Sequence, residues 1–131
     1  MIEGGCQCGR IRYQVRGEAN NTTNCHCSQC RRASGAAYFT LSEFPLESVV
    51  FLKELPQYFR SSDVAQRGFC PICGTALVFQ YLESNTIDIA TATLDDPATF
   101  PPQDHLWVDS KVEWVNIEDG LPQFPKERDS R

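Results

Sequence analysis

The stretch FCPICGT, residues 69–75, decides how the rest of the chain can fold. Cys70 and Cys73 stand three apart, with Gly74 directly after them. That spacing makes a tight knuckle whose backbone amides can face the sulfurs and stabilise thiolate charge, while Gly74 supplies the positive φ of the turn. A redox dithiol with this spacing belongs in a βαβ context. Here the chain runs instead into ALVFQYL (76–82), a strand pattern, so metal binding is the favoured reading. Two thiols are half a site and need a second pair.

That pair stands near the N-terminus, in GGCQCG. Cys6 and Cys8 are two apart, so on an extended segment both sulfurs share a face and reach one ion. The neighbouring Gly4, Gly5 and Gly9 let the backbone bend around it. Two buried structural thiols are the plainer alternative for this pair. Joined to Cys70 and Cys73, the pair completes a closed four-sulfur site that ties the N-terminal strand to a distant hairpin. Closing so long a loop stabilises a small domain.

The remaining cysteines, Cys25, Cys27 and Cys30, crowd into NCHCSQC (24–30). Three protein ligands and one open position is the pattern of catalytic zinc, whereas structural zinc is closed. A short helix over 28–34, stopped by Gly35, would place its N-terminal end beside Cys25 and Cys27 and favour their thiolates. Other partitions stand open: all seven thiols in one cluster, or a histidine completing the triad. His26 lies within the triad, but its neighbours' sulfurs share one face, so its ring should point away. His105 is distant in sequence and would have to fold back. Water or substrate is the preferred fourth ligand, and either histidine is a candidate proton relay, His26 being carried among the catalytic candidates. Arg31 and Arg32 are candidates to hold an anionic ligand, and with Lys111 to offset thiolate charge. Tyr38, Phe39, Trp107 and Trp114 are candidate pocket walls, with core packing the preferred role.

The chain has 131 residues, which fits one domain over 1–131. Its core should span about 5–117, ahead of an irregular tail from Gly120 that frays. Short alternating runs at 10–16, 36–41, 48–52, 57–61, 76–82, 86–92 and 111–117 predict a mainly β fold of small antiparallel sheets. A second short helix is expected at DDPATF, with Asp96 as cap and Pro97 in the first helical position. Seven cysteines cannot all pair within one chain, and so dense a pattern in a reducing compartment reads as metal binding or catalysis. The N-terminus shows no secretory signal, so a cytoplasmic protein is expected. No apolar run reaches the ~20 residues a membrane span needs. A net charge of −5 argues against generic nucleic-acid binding, which leaves the Arg10, Arg12 and Arg16 cluster as solvated or local contacts.

Taken together, Cys-x-Cys near the N-terminus, CHCSQCRRASG, FCPICGT, TATLDDP and HLWVDSKVEW resemble the glutathione-dependent formaldehyde-activating enzyme family, which also includes the centromere protein V domain. The resemblance runs from Gly5 to about Trp114. It implies an Mss4-like fold of small β-sheets organised around zinc, with two zinc ions per chain. Cys6, Cys8, Cys70 and Cys73 match the structural ligands, and Cys25, Cys27 and Cys30 the catalytic ones. The implied activity is that of a carbon–sulfur lyase condensing formaldehyde with glutathione to S-hydroxymethylglutathione. The expected partners are therefore a small thiol such as glutathione and a small aldehyde. A zinc-stabilised binding module without catalysis is the second reading, since fold does not fix function. A zinc or redox store is the third.

Overall fold

The structure, a computed structural model, describes residues 1–128. Ten strands form in chain order: β1 (Ile2–Gly5), β2 (Arg12–Val15), β3 (Asn21–Cys25), β4 (Phe39–Pro45), β5 (Val49–Phe51), β6 (Gln57–Arg60), β7 (Ala65–Phe69), β8 (Ala76–Tyr81), β9 (Thr86–Ala90) and β10 (Asp104–Leu106). One α-helix, α1 (Ser28–Ser34), follows β3. A three-stranded sheet runs β1-β2-β5, and a seven-stranded sheet runs β10-β3-β4-β9-β8-β7-β6. The mainly β fold is as the sequence predicts; its strand pairing is antiparallel except where β10 joins β3 in parallel. No helix among the described residues is long and apolar enough to cross a membrane.

Side-chain alternation gives the large sheet two faces of different chemistry. On one face, Phe44 stands opposite Ile87, and Ser42 opposite Ile89, which in turn faces Val78. These pack with Ile11, Tyr13 and Val15 of the small sheet's side into the main apolar core. Tyr13 is fully buried, and its hydroxyl meets Thr93 Oγ1 at 2.7 Å. The other face carries Cys25 opposite Phe39, and Thr23 opposite Leu41, which faces Ala90. Further along, it carries the row Asn21, Glu43, Asp88, Phe79 and Arg67, each opposite the next on the neighbouring strand. This second face carries the candidate site.

Six of the expected strands form, with boundaries moved by a few residues. Helix α1 forms over 28–34, and Gly35 ends it at φ 66° with its N–H on the carbonyl of Arg31. The second expected helix is a single 3-10 turn, Pro97–Thr99, capped by Asp96 through the amide of Ala98. The expected strand at 111–117 does not form. β10 has β3 on one side, and on the other His105 bridges to Gln123, so the following segment finds no free edge. It turns, with Lys111 Nζ on the carbonyls of Val112 and Val115 and Trp114 at the surface.

The tail expected to fray docks instead, as far as residue 128. His105 N bonds the carbonyl of Pro122, Phe124 N that of His105, and Trp107 N that of Lys126. Arg128 then grips Asp104 from two nitrogens, at 2.6 and 3.2 Å. Asp104 is buried, and its second support is the Thr23 hydroxyl. The end of that tail, 129–131, lies outside the described residues. Of the N-terminal arginines, Arg10 pairs with Glu54 and Arg12 with Asp95 and Glu3, which accounts for their clustering as local contacts.

Truncating Arg128 leaves the Asp104 carboxylate buried with one donor. Arg128→Ala should lower unfolding free energy by about 2 kcal/mol, the scale of losing charged hydrogen bonds at a partly exposed pair. Urea denaturation measures this, and Thr23→Ala should cost less.

Candidate functional site

Two cysteine clusters form, and their members divide as the spacing predicts: Cys6, Cys8, Cys70 and Cys73 in one, Cys25, Cys27 and Cys30 in the other. Within each, the sulfurs all lie within 4.8 Å of one another. No cysteine is in a disulfide.

The four-cysteine cluster joins the loop after β1 to the turn between β7 and β8. Cys6 and Cys8 Sγ are 3.6 Å apart, and Cys8 and Cys70 Sγ 3.8 Å. A tetrahedral zinc with Zn–S of about 2.3 Å has sulfur–sulfur edges of about 3.8 Å, so the donors fit that ion. Ile11 N points at Cys6 Sγ, and Cys73 N at Cys70 Sγ. Gly74 takes φ 80° while its N–H returns to the carbonyl of Cys70, the knuckle expected of this turn. The Thr75 hydroxyl and backbone amides draw the Cys73 thiol down to about 5, a donor set that favours the ligating thiolate.

The three-cysteine cluster stands at the junction of β3 and α1. Cys25 ends β3, Cys27 is the N-cap of α1 at φ −64° and ψ 157°, and Cys30 lies one turn in. Cys27 Sγ accepts the N–H of Cys30 at 3.3 Å. Contact with the other two thiols, first Cys25, holds Cys27 down at about 2, while Cys25 is pushed up. Cys27 is the most exposed of the three. No histidine, aspartate or glutamate among the described residues joins the triad as a fourth ligand.

The triad borders a cavity of about 470 Å³ whose walls include Cys25, Cys27, Cys30, Arg67, Asp88 and Trp107. Arg67, on β7, is buried and donates from Nη2 to Cys30 Sγ at 3.5 Å. Its guanidinium lies 4.7 Å from the Phe79 ring centroid, and Nε and Nη1 have no hydrogen-bond partner. A cation with no carboxylate ion pair among the described residues thus sits against the sulfur cluster.

The structure separates the other sequence candidates. His26 is fully buried and turned from the sulfurs, its Nε2 2.9 Å from His105 Nδ1. His105 Nε2 in turn meets Asp119 Oδ2 at 2.7 Å. Burial first, then His105 and Lys111, push His26 down to about 4, so it is neutral at pH 7. Because Asp119 is acceptor-only, His105 carries its proton on Nε2 and His26 donates from its own Nε2. Arg31 and Arg32 are in the last turn of α1; Arg32 borders a separate apolar groove beside Phe59 and Phe69. Tyr38 stacks near His26 with ring centroids 4.7 Å apart. Phe39 is buried under the triad, Trp107 lines the cavity, and Trp114 is 75% exposed. Sequence reasoning missed Arg67, Asp88 and Asp119.

A mainly β protein with one closed and one open cysteine cluster is the class these features define. The chain belongs to the glutathione-dependent formaldehyde-activating enzyme family, whose pattern it matches over residues 1–110. A Halomonas elongata protein named "Putative glutathione-dependent formaldehyde-activating enzyme" is 29% identical over 128 residues, covering 90% of this chain and 82% of that one. A Schizosaccharomyces pombe protein named as an uncharacterized lyase is 34% identical over 79 residues, 60% of this chain and 57% of that one. A crystal structure of a Rhodobacter sphaeroides protein superposes with a TM-score of 0.59 at 21% identity, over 93% of this chain and 98% of that one, which shows a shared fold.

The clusters should respond differently to substitution. Cys70→Ser breaks the closed site and forfeits on the order of 10 kcal/mol of metal binding, enough to unfold the chain. Cys27→Ser should leave a folded chain that binds one ion fewer than the parent. Circular dichroism and metal analysis by mass spectrometry check both.

Proposed function

We propose that this protein is a zinc-dependent carbon–sulfur lyase that joins a small thiol such as glutathione to formaldehyde or a related small carbonyl compound, and runs the cleavage in reverse. The observation that carries this reading is the contrast between the clusters: four sulfurs close on themselves, while three face a cavity. Family membership and the relatives' names support the same chemistry. The unpaired state of all seven thiols suits a reducing cytoplasm, where we place the activity.

Cys6, Cys8, Cys70 and Cys73 would hold one zinc as a brace, and Cys25, Cys27 and Cys30 a second at the cavity. Zinc held there would supply Lewis acidity and would lower the pKa of a bound thiol. Three thiolates weaken that acidity, because their charges exceed the ion's. Arg67 answers this: its cation against Cys30 Sγ withdraws charge from the sulfur cluster, and no described carboxylate forms an ion pair with it, Asp88 acting on it only through space. α1 contributes its backbone N–H to Cys27 in the same sense. Trp107 and Phe79 give the cavity an apolar wall beside its charged lining.

The reading is tested by ¹³C exchange NMR with labelled formaldehyde and glutathione. The metal-loaded protein should accelerate adduct exchange over the uncatalysed background, and the folded Cys27→Ser variant should not. Equal rates with and without protein would leave the zinc-braced binding module as the better reading. Arg67→Met should keep both ions yet lower kcat about tenfold or more, the scale of losing one aimed charge at a reacting centre.

A further inference from the structure

We propose that Asp88 is the proton carrier of this site: it takes the proton of the incoming thiol and returns it to the oxygen of the carbonyl whose carbon the sulfur attacks. The inference deepens the lyase reading and rests on it. Condensation moves one proton from sulfur to oxygen, so the cavity needs a group that both accepts and donates. The S–H bond breaks and its proton goes to the Asp88 carboxylate. The sulfur pair forms the S–C bond, the C=O π pair moves to oxygen, and that oxygen takes the proton from Asp88. Nothing is oxidised or reduced, and Asp88 ends as it began. Cleavage of the adduct is the same path reversed.

Geometry selects Asp88 among the groups of the cavity. It sits at mid-strand in β9, opposite Glu43 on one side and Phe79 on the other, on the sheet face that carries Cys25. It lines the same cavity as the three cysteines. Among the described residues no donor hydrogen-bonds its carboxylate, unlike a carboxylate held for structure. The alternatives are engaged. Glu43 accepts from the side-chain amides of Asn20 and Asn21, and Glu127 from Trp107 Nε1. Burial first, then Glu127 and Asp88, push the Tyr81 hydroxyl up, so it keeps its proton. His26 and His105 are spent on each other and on Asp119, and neither borders the cavity.

The surroundings also tune the group. Burial first, then Glu43, push the Asp88 carboxyl up to about 7; Arg67 and Arg128 oppose this and Glu127 adds to it. A carrier balanced near working pH serves both halves of the transfer. Because its folded-state value lies above the ordinary 3.8, ionised Asp88 costs stability, and the cost grows as pH rises from about 4 to about 7.

The test compares parent, Asp88→Asn and Asp88→Glu, each metal-loaded, in thiol–formaldehyde exchange from pH 5.5 to 8.5. Asp88→Asn should lose about 100-fold in kcat, together with the rise in rate near pH 7, while Asp88→Glu regains part of both. Metal content and glutathione binding should match the parent, and Asp88→Asn should melt no lower than the parent at pH 8. An Asp88→Asn rate within about threefold of the parent, with the pH rise intact, would overturn the inference alone. A parent that binds glutathione but makes no adduct would fell the lyase reading and this inference together.

Discussion

Thiolate sulfurs held within 4.8 Å of one another repel, and only a shared cation makes such an arrangement favourable. The chain meets this constraint twice, and the two answers differ. At the four-cysteine cluster the sulfurs come from two loops far apart in sequence, so a shared ion would also fasten the small sheet's first loop to the β7–β8 turn. At the triad all three sulfurs come from one local junction of strand and helix. An ion in the first cluster would tie distant parts together; one in the second would close no long loop and would be free to serve chemistry.

The register of the large sheet converts that local junction into a site. Because side chains alternate, pairing Cys25 with Phe39 also fixes Glu43, Asp88, Phe79 and Arg67 on the same face. A one-residue slip in β9 would send Asp88 into the apolar core and Ile89 into the cavity. The burial of Ile87 and Ile89 therefore holds Asp88 in place. Across the sheet, β10 and the docked tail close the cavity's far wall with Trp107, Glu127 and Arg128. The Asp119–His105–His26 chain joins that tail to the metal loop, placing His26 beside the sulfurs as a brace rather than a ligand.

The grouping of the cysteines was legible in the sequence because thiol spacing is a short-range signal: Cys-x-Cys and Cys-x-x-Cys preset which sulfurs can come together. The apolar strands were legible by alternation, as in TIDIA and RYQV. The strands NTTNC, AQRGF and DHL were not, because Asn, Asp and Gly disfavour strand and none of the three shows an apolar alternation, so tertiary partners make them extended. Arg67 was hidden for that reason, since its inward direction follows from a strand that propensity does not reveal. KVEWVNI alternates convincingly yet finds no edge to join. Arg31 and Arg32 drew attention by adjacency to the triad, but helix α1 carries them away from the cavity wall, where Arg67 stands.

The central claim is that the triad keeps one coordination position for a substrate thiol. Zinc-edge X-ray absorption on the metal-loaded protein, with and without glutathione, addresses it directly. Averaged over a closed and an open site, the sulfur count per zinc should rise from about 3.5 to about 4 when the thiol binds. A count that stays near 3.5 with glutathione present, its fourth donor a nitrogen or oxygen that does not exchange, would contradict the account.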